Sequence, residues 1–297
     1  MKPVAVRRIV VPILVVLLWM VVFPTVSQVT PQLLTLATTT STNDSGLLAL
    51  LNPAFEAQFN ARVRVIALGT GAALRTAQNG DADVVLVHAR PAEDAFIEAG
   101  YGVNRRDVMF NDFVIVGPAD DPANVRGLGS AKEAFSRIAA TQSLFISRGD
   151  QSGTNQKELI VWQEAGVQPQ GKWYLSVGKG MGDTLVQSNE MGAYTLSDRG
   201  TFLAFRDRLN LQILVEGPIK DGDPILLNPY GVIAVNPARF PNRNYDLAMA
   251  YIGYLTSPGA QDAIENFRIG DEPLFFPDAL STEPNFRQYI PASAPDF

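Results

Sequence analysis

Three times along this chain a strand-like run, apolar in two cases and alternating charged with apolar residues in the other, ends in a turn of glycine and hydroxyl residues and then gives way to helical periodicity. The runs cover residues 33–37, 62–68 and 144–147, and the helical patterns behind them cover 47–59, 72–78 and 156–165. A fourth strand and helix, at 83–87 and 91–99, complete the first series. Strands joined through helices by short links predict parallel, doubly wound sheets, because a parallel pair needs a crossover that the helix provides. A strand at 111–117 runs into Gly117-Pro118, where the chain is expected to cross into a second series. That series holds a helix at 131–140, a strand at 192–196, a helix at 201–206 and a closing strand at 212–216. A long return strand at 228–235 and helices at 245–255 and 259–267 follow. The fold class read from this order is α/β, with two doubly wound lobes joined by two crossover strands. Residues 28–116 and 228–276 form lobe 1, and 117–227 form lobe 2. The segment 277–297, with Pro277, Pro284, Pro291 and Pro295, reads as a loosely attached tail.

The first 27 residues stand apart. Lys2, Arg7 and Arg8 precede the apolar run 9–22, and Thr25 and Ser27 are small residues at a cleavage-like position. This is the layout of a signal peptide, with an uncleaved anchor as the alternative. Either way the rest of the chain is expected outside the cytoplasm. The three basic residues are the only charges in that stretch, so its removal takes the net charge from −6 to −9. An acidic body argues against a nucleic-acid partner. With no cysteine, there is neither a disulfide nor a thiolate metal site, and 46% hydrophobic against 18% charged residues fits a well-cored globular protein.

The turns carry the chemistry. Residues 38–45, 69–71 and 148–154 are rich in Thr, Ser and Gly and stand at strand ends, where parallel sheets bind ligands. A strand–turn–helix unit aims free backbone N–H groups and the positive end of a helix at one point, and Arg148 adds a rigid fork of donors. Together they suit a small anion. The hydroxyl run 38–42 suits a helix start poorly. Thr184 follows the Gly180–Gly182 turn as a further possible donor, and Tyr194 offers a phenolic one. Asp150 would repel an anion, so it is expected to orient Arg148 from behind.

Other constellations are weaker. Asp198-Arg199 reads as a capping carboxylate beside a solvated arginine. His88 could face the site from the end of its strand, but a core or surface histidine is the commoner case there. A serine hydrolase using Ser152 or Ser41 with His88 is the enzyme alternative, but Ser152 does not lie in a Gly-x-Ser-x-Gly elbow. No cluster has metal-ligand spacing, and no cofactor is expected.

Two αβ series with two crossings behind a signal segment resemble the two-crossover periplasmic solute-binding proteins of ABC importers. The segments 38–48 (Thr-Thr-Thr-Ser-Thr-Asn-Asp-Ser-Gly-Leu-Leu) and 147–154 (Ser-Arg-Gly-Asp-Gln-Ser-Gly-Thr) are similar to those of the tungstate-binding family, as are 180–185 and 193–201. The resemblance implies ligand contacts from Thr39, Thr40, Ser41, Thr70, Arg148, Ser152, Gly153 and Thr154, with Asn155 where the family commonly has histidine. It also implies a non-enzymatic, monomeric protein that hands tungstate or molybdate to a membrane permease driven by an ATPase. The Arg148 turn resembles phosphate-binding proteins too, so phosphate or another oxyanion stands as the alternative ligand. A module that senses its ligand and signals to a receptor is the third class. Donors placed for a larger oxyanion would reach sulfate and phosphate poorly.

Overall fold

A computed structural model describes residues 30–279, so the expected signal segment lies outside the described residues. In chain order the first elements are β1 (Gln32–Thr39), α1 (Thr40–Asp44), α2 (Leu47–Phe59), β2 (Ala61–Leu68), α3 (Thr70–Gln78), β3 (Val84–Val87) and α4 (Arg90–Glu98). A long strand β4 (Gly102–Gly117) leads to α5 (Ala131–Thr141), β5 (Phe145–Ser147), α6 (Gly153–Glu164), β6 (Tyr174–Ser176), α7 (Met181–Met191), β7 (Thr195–Asp198), α8 (Arg199–Phe205) and β8 (Gln212–Val215). The chain returns through β9 (Leu227–Val235), α9 (Tyr245–Leu255), α10 (Pro258–Glu265) and the short strands β10 (Arg268–Ile269), β11 (Glu272–Pro273) and β12 (Phe276–Pro277).

The strands run in the order β12-β4-β9-β3-β1-β2, parallel across β3-β1-β2 and antiparallel across β9 and β4. β1 is buried along its last six residues. That is what a parallel strand covered on both faces requires, and its Leu34-Thr35-Leu36-Ala37 run supplies it. One face packs Leu34, Leu36, Val84 and Leu86 against α2, α9 and α10 through Phe55, Tyr251 and Ile264. The other packs Ala37, Val85 and Val87 against Ala73, Leu74 and Phe96 of α3 and α4.

The far end of β4 belongs to a second array, where Phe113–Val116 pair with β7 and the strand's last residues with β8. Here Phe113, Phe145 and Leu196 pack against Phe135 and Trp162 of α5 and α6, while Val114 and Val116 face Leu185 and Phe202 of α7 and α8. Each fully buried aromatic contributes about 1.5–3 kcal/mol of apolar transfer.

Three details depart from the sequence reading. The crossing strand begins at Gly102, not 111. The hydroxyl run does start a helix, α1, because Thr39 caps it by accepting from the Thr42 N–H at 3.2 Å. The segment read as a loose tail begins tied down. Phe276 and Pro277 pair with β4, Asp278 N–H donates to the Val108 carbonyl at 3.2 Å, and Ala279 N–H donates to Gln261 Oε1 at 3.1 Å.

Candidate functional site

Register places the site. Thr39 lies opposite Leu68 of β2, and Thr38 lies opposite Leu86 of β3. The ends of three parallel strands therefore bring Thr39, Gly69-Thr70 and His88 side by side. From the second array, β5 delivers the turn 148–152 and the N-terminus of α6. The narrow cavity where they meet is lined by Thr39, Thr40, Ser41, Leu68, Gly69, Thr70, His88, Arg148, Ser152 and Gly153. No carboxylate is among these residues.

Thr70 opens α3, is 0% exposed, and its hydroxyl has no hydrogen-bond partner among the described residues. An unpaired buried hydroxyl costs about 1–3 kcal/mol. Its place in the cavity wall gives that unused donor a target. Arg148 is 6% exposed and donates from Nε to Asp150 Oδ2 at 2.8 Å. Its terminal nitrogens make no hydrogen bond among the described residues. Asp150 also accepts the Ser152 N–H through Oδ1 at 3.1 Å, so it braces the turn, and it does not line the cavity.

Behind the turn lies a residue that the sequence reading missed. Glu158 accepts from Ser147 Oγ at 2.7 Å, Tyr174 Oη at 2.8 Å, Trp162 Nε1 at 3.1 Å and Asn155 Nδ2 at 3.5 Å. Burial pushes its carboxyl above the usual range, and these four donors oppose the push. Asn155 also accepts the Gln151 N–H at 3.1 Å, so it fixes the loop from inside. The spacing Asn155, Glu158, Trp162 along one helix face was the available signal.

His88 is buried, so it is no surface residue, and it takes the less expected place in the cavity wall. Its Nε2 lies 3.2 Å from Thr39 Oγ1 and 3.4 Å from Ser41 Oγ. Its Nδ1 lies 3.0 Å from Asn228 Oδ1, and Asn228 Nδ2 in turn donates to Asn111 Oδ1 at 2.6 Å. Because the Asn228 amide spends its N–H on Asn111, its oxygen faces His88, and the network assigns the ring proton to Nδ1. Desolvation lowers the imidazole pKa to about 4. Asp198 and the Asn228 bond act in the opposite direction, and Arg148 adds to the lowering.

Other expected donors are not brought here. Thr154 is buried one residue into α6 and does not line the cavity. Thr184 donates to the Gly180 carbonyl at 2.9 Å, as a hydroxyl within a helix readily does. Tyr194 donates to Asp121 Oδ1 at 2.7 Å and accepts the Ala123 N–H. Asp198 caps α8 as expected, but Arg199 is buried and held by Asp112 and Glu216, not solvated. Among the described residues no His, Cys, Asp or Glu cluster could hold a metal ion, and no helix is long and apolar enough to cross a membrane.

A donor-lined cavity at the strand ends of two wound arrays that share β4 defines the class as an α/β solute-binding protein. Residues 25–258 match the model of the PBP superfamily domain. A Haloferax volcanii protein, provisionally named as an ABC transporter anion-binding protein, is 64% identical over 88% of this chain and 77% of its own length. A tungstate-binding protein of Peptoclostridium acidaminophilum is 46% identical over 82% of this chain and 85% of its own. A solved structure of the tungstate ABC transporter from Geobacter sulfurreducens is 51% identical, covers 79% of this chain and 98% of that one, and superposes with a TM-score of 0.71. The chain belongs to the PBP superfamily and, within it, to the family of tungstate-binding proteins of ABC transporters. These relatives are binding components of transporters, not enzymes.

Proposed function

We propose that this protein captures tungstate outside the cytoplasm and delivers it, as a monomer, to the permease and ATPase of an ABC importer, with molybdate as a second ligand. One observation carries the reading: the cavity wall offers hydroxyl and guanidinium donors, one of them the orphaned Thr70 hydroxyl, and no carboxylate. Thr39, Thr40, Ser41, Thr70, Arg148, Ser152 and Gly153 are the proposed contacts. Thr154 follows Gly153 without lining the cavity, and the Thr184 hydroxyl is turned back on its own helix. A fully ionised tetrahedral oxyanion presents only acceptors, so a wall of donors suits it. Hydrogen phosphate carries a proton that needs an acceptor; the wall holds no carboxylate for it, Asp150 being turned to Arg148 and Ser152, and a neutral His88 is the one side-chain nitrogen there that could accept it. The names of the relatives point the same way.

The two halves built on β4 and β9 are proposed as lobes that close over the anion, with His88 and Gly153 touching at the seam. A Cβ at Gly153 would stand 2.9 Å from the His88 ring. Titration calorimetry decides the ligand. Tungstate is expected to bind tightly, molybdate to bind, and sulfate and phosphate to give weak heats or none. Strong phosphate binding without tungstate binding would move the protein to phosphate capture.

The hydrolase reading keeps one supporting observation, the alignment of Ser41, His88 and Asn228. Turnover of esters or phosphoesters that disappears in His88→Ala would revive it. No turnover is the expected result.

A further inference from the structure

The ligand-free wall contains one acceptor where the proposed ligand wants a donor. With the ring proton on Nδ1 and directed at Asn228, His88 presents the Nε2 lone pair to the hydroxyls of Thr39 and Ser41, both of which line the cavity. A hydroxyl that donates to Nε2 cannot donate to an anion, because each has a single proton. A neutral His88 therefore draws one donor away from the ligand and sets a lone pair in the wall.

We propose that His88 is a ligand-contacting residue that takes up a proton as the oxyanion enters, turning an acceptor in the wall into a donor. The proton arrives at Nε2 from solvent. Nδ1–H stays on Asn228, and the hydroxyl that donated to Nε2, from Ser41 or Thr39, is released to point at the anion. The inference rests on the oxyanion reading above.

The groups around the ring set the energetics. Thr39 and Ser41 face it from the β1–α1 junction, Asn228 and the stacked Tyr230 (centroids 4.6 Å apart) from β9, and Gly153 from α6. The charged groups that act on it are Arg148, from the turn before α6, and Asp198, at the start of α8. Without ligand, burial and Arg148 hold the imidazole neutral down to about pH 4, although Asp198 works against them. A dianion against the ring reverses that balance, since an opposite charge within a few ångströms favours the protonated form. The pKa is thus higher in the complex than in the free protein. Affinity should fall by up to tenfold per pH unit as pH rises from the free to the bound value, and level off above it.

The chain has one histidine, so its ring can be read without ambiguity. With ¹⁵N-histidine in the protein at pH 7, the nitrogen shifts are expected to change from the neutral Nδ1-protonated tautomer to imidazolium on saturation with sodium tungstate. Calorimetry in two buffers of different protonation enthalpy should report close to one proton taken up per anion. His88→Gln, which keeps a polar side chain, should abolish that uptake and weaken tungstate ten- to a hundredfold. Tight tungstate binding with a ring that stays neutral, or unchanged affinity in His88→Gln, overturns the inference and leaves the oxyanion reading standing. No heat from tungstate at any pH overturns both.

Discussion

Two buried arginines divide the work of this molecule. Arg148 and Arg199 are 6% and 4% exposed, and each is ion-paired to a carboxylate at hydrogen-bond distance. Arg199 shares its charge between two carboxylates. Its Nε and Nη2 grip both oxygens of Asp112 at 2.7 and 2.8 Å, and Nη2 also reaches Glu216 at 2.6 Å. Asp112 further accepts the Ile219 N–H at 3.2 Å. Burial works against the charge of Arg199, but these carboxylates outweigh it and hold its pKa above the ordinary guanidinium value. Arg148 gives Asp150 only Nε and keeps its terminal nitrogens unbonded among the described residues, at a cavity wall. A buried arginine bonded to two carboxylates is a clamp, here between β4, α8 and the end of β8. One that gives a carboxylate only Nε and stands in a cavity wall has its terminal donors left for a ligand.

The comparison predicts opposite phenotypes. Arg199→Met leaves Asp112 charged and buried without its counter-ion, and removing one member of such a pair typically costs about 3–5 kcal/mol. Urea unfolding of the ligand-free variant should register a loss of that size. A loss under about 1 kcal/mol would mean that Arg199 is no clamp. Arg148→Ala should reverse the pattern. Two charge-assisted bonds to the anion, at about 1.5–3 kcal/mol each, correspond to a loss of tungstate affinity of roughly a hundred- to ten-thousandfold. The ligand-free melting temperature should barely move, because Asp150 keeps the Ser152 N–H and is itself partly exposed. Arg148→Lys should recover little binding, since an ammonium lacks the planar fork. A large drop in ligand-free stability would make Arg148 structural and collapse the contrast.

The sequence could rank these two arginines only in part. Arg148 stands in a local pattern of strand, glycine turn and helix, with its carboxylate partner two residues away, and such patterns are legible because the chemistry is contiguous. The partners of Arg199 lie 87 and 17 residues away, and the nearest local clue, the capping role of Asp198, pointed to a solvated neighbour. His88 was misjudged for the same reason, since Asn228, which fixes its ring, is 140 residues distant. The first half of β4 escaped notice because Asn104-Arg105-Arg106-Asp107 breaks the apolar run in a stretch that is only partly buried. Thr184 was overrated because composition cannot show that its hydroxyl turns back on its own helix. Helix α2 was read to its ends, since a Gly46 start and an Asn60 stop in the left-handed region bound an apolar, leucine-rich segment.

Thr70 sharpens the distinction at its smallest scale. Like Arg148 it is buried at the wall, and it goes further in having no partner at all among the described residues. Thr70→Val keeps the shape, replacing the hydroxyl with a methyl group at the first position of α3, where no helical bond depends on that oxygen. The ligand-free protein loses an unsatisfied polar atom and should gain up to about 1 kcal/mol, since an unpaired buried hydroxyl costs about 1–3 kcal/mol. Tungstate loses a donor to a charged acceptor, about 1.5–3 kcal/mol, or roughly ten- to a hundredfold in affinity. Stability and binding thus move in opposite directions in one variant, which a hydroxyl present only for packing or folding cannot produce. Thermal unfolding without ligand and calorimetry with tungstate test the two halves separately. Reduced stability with unchanged affinity would remove Thr70 from the site and leave Arg148 as the principal donor from the wall.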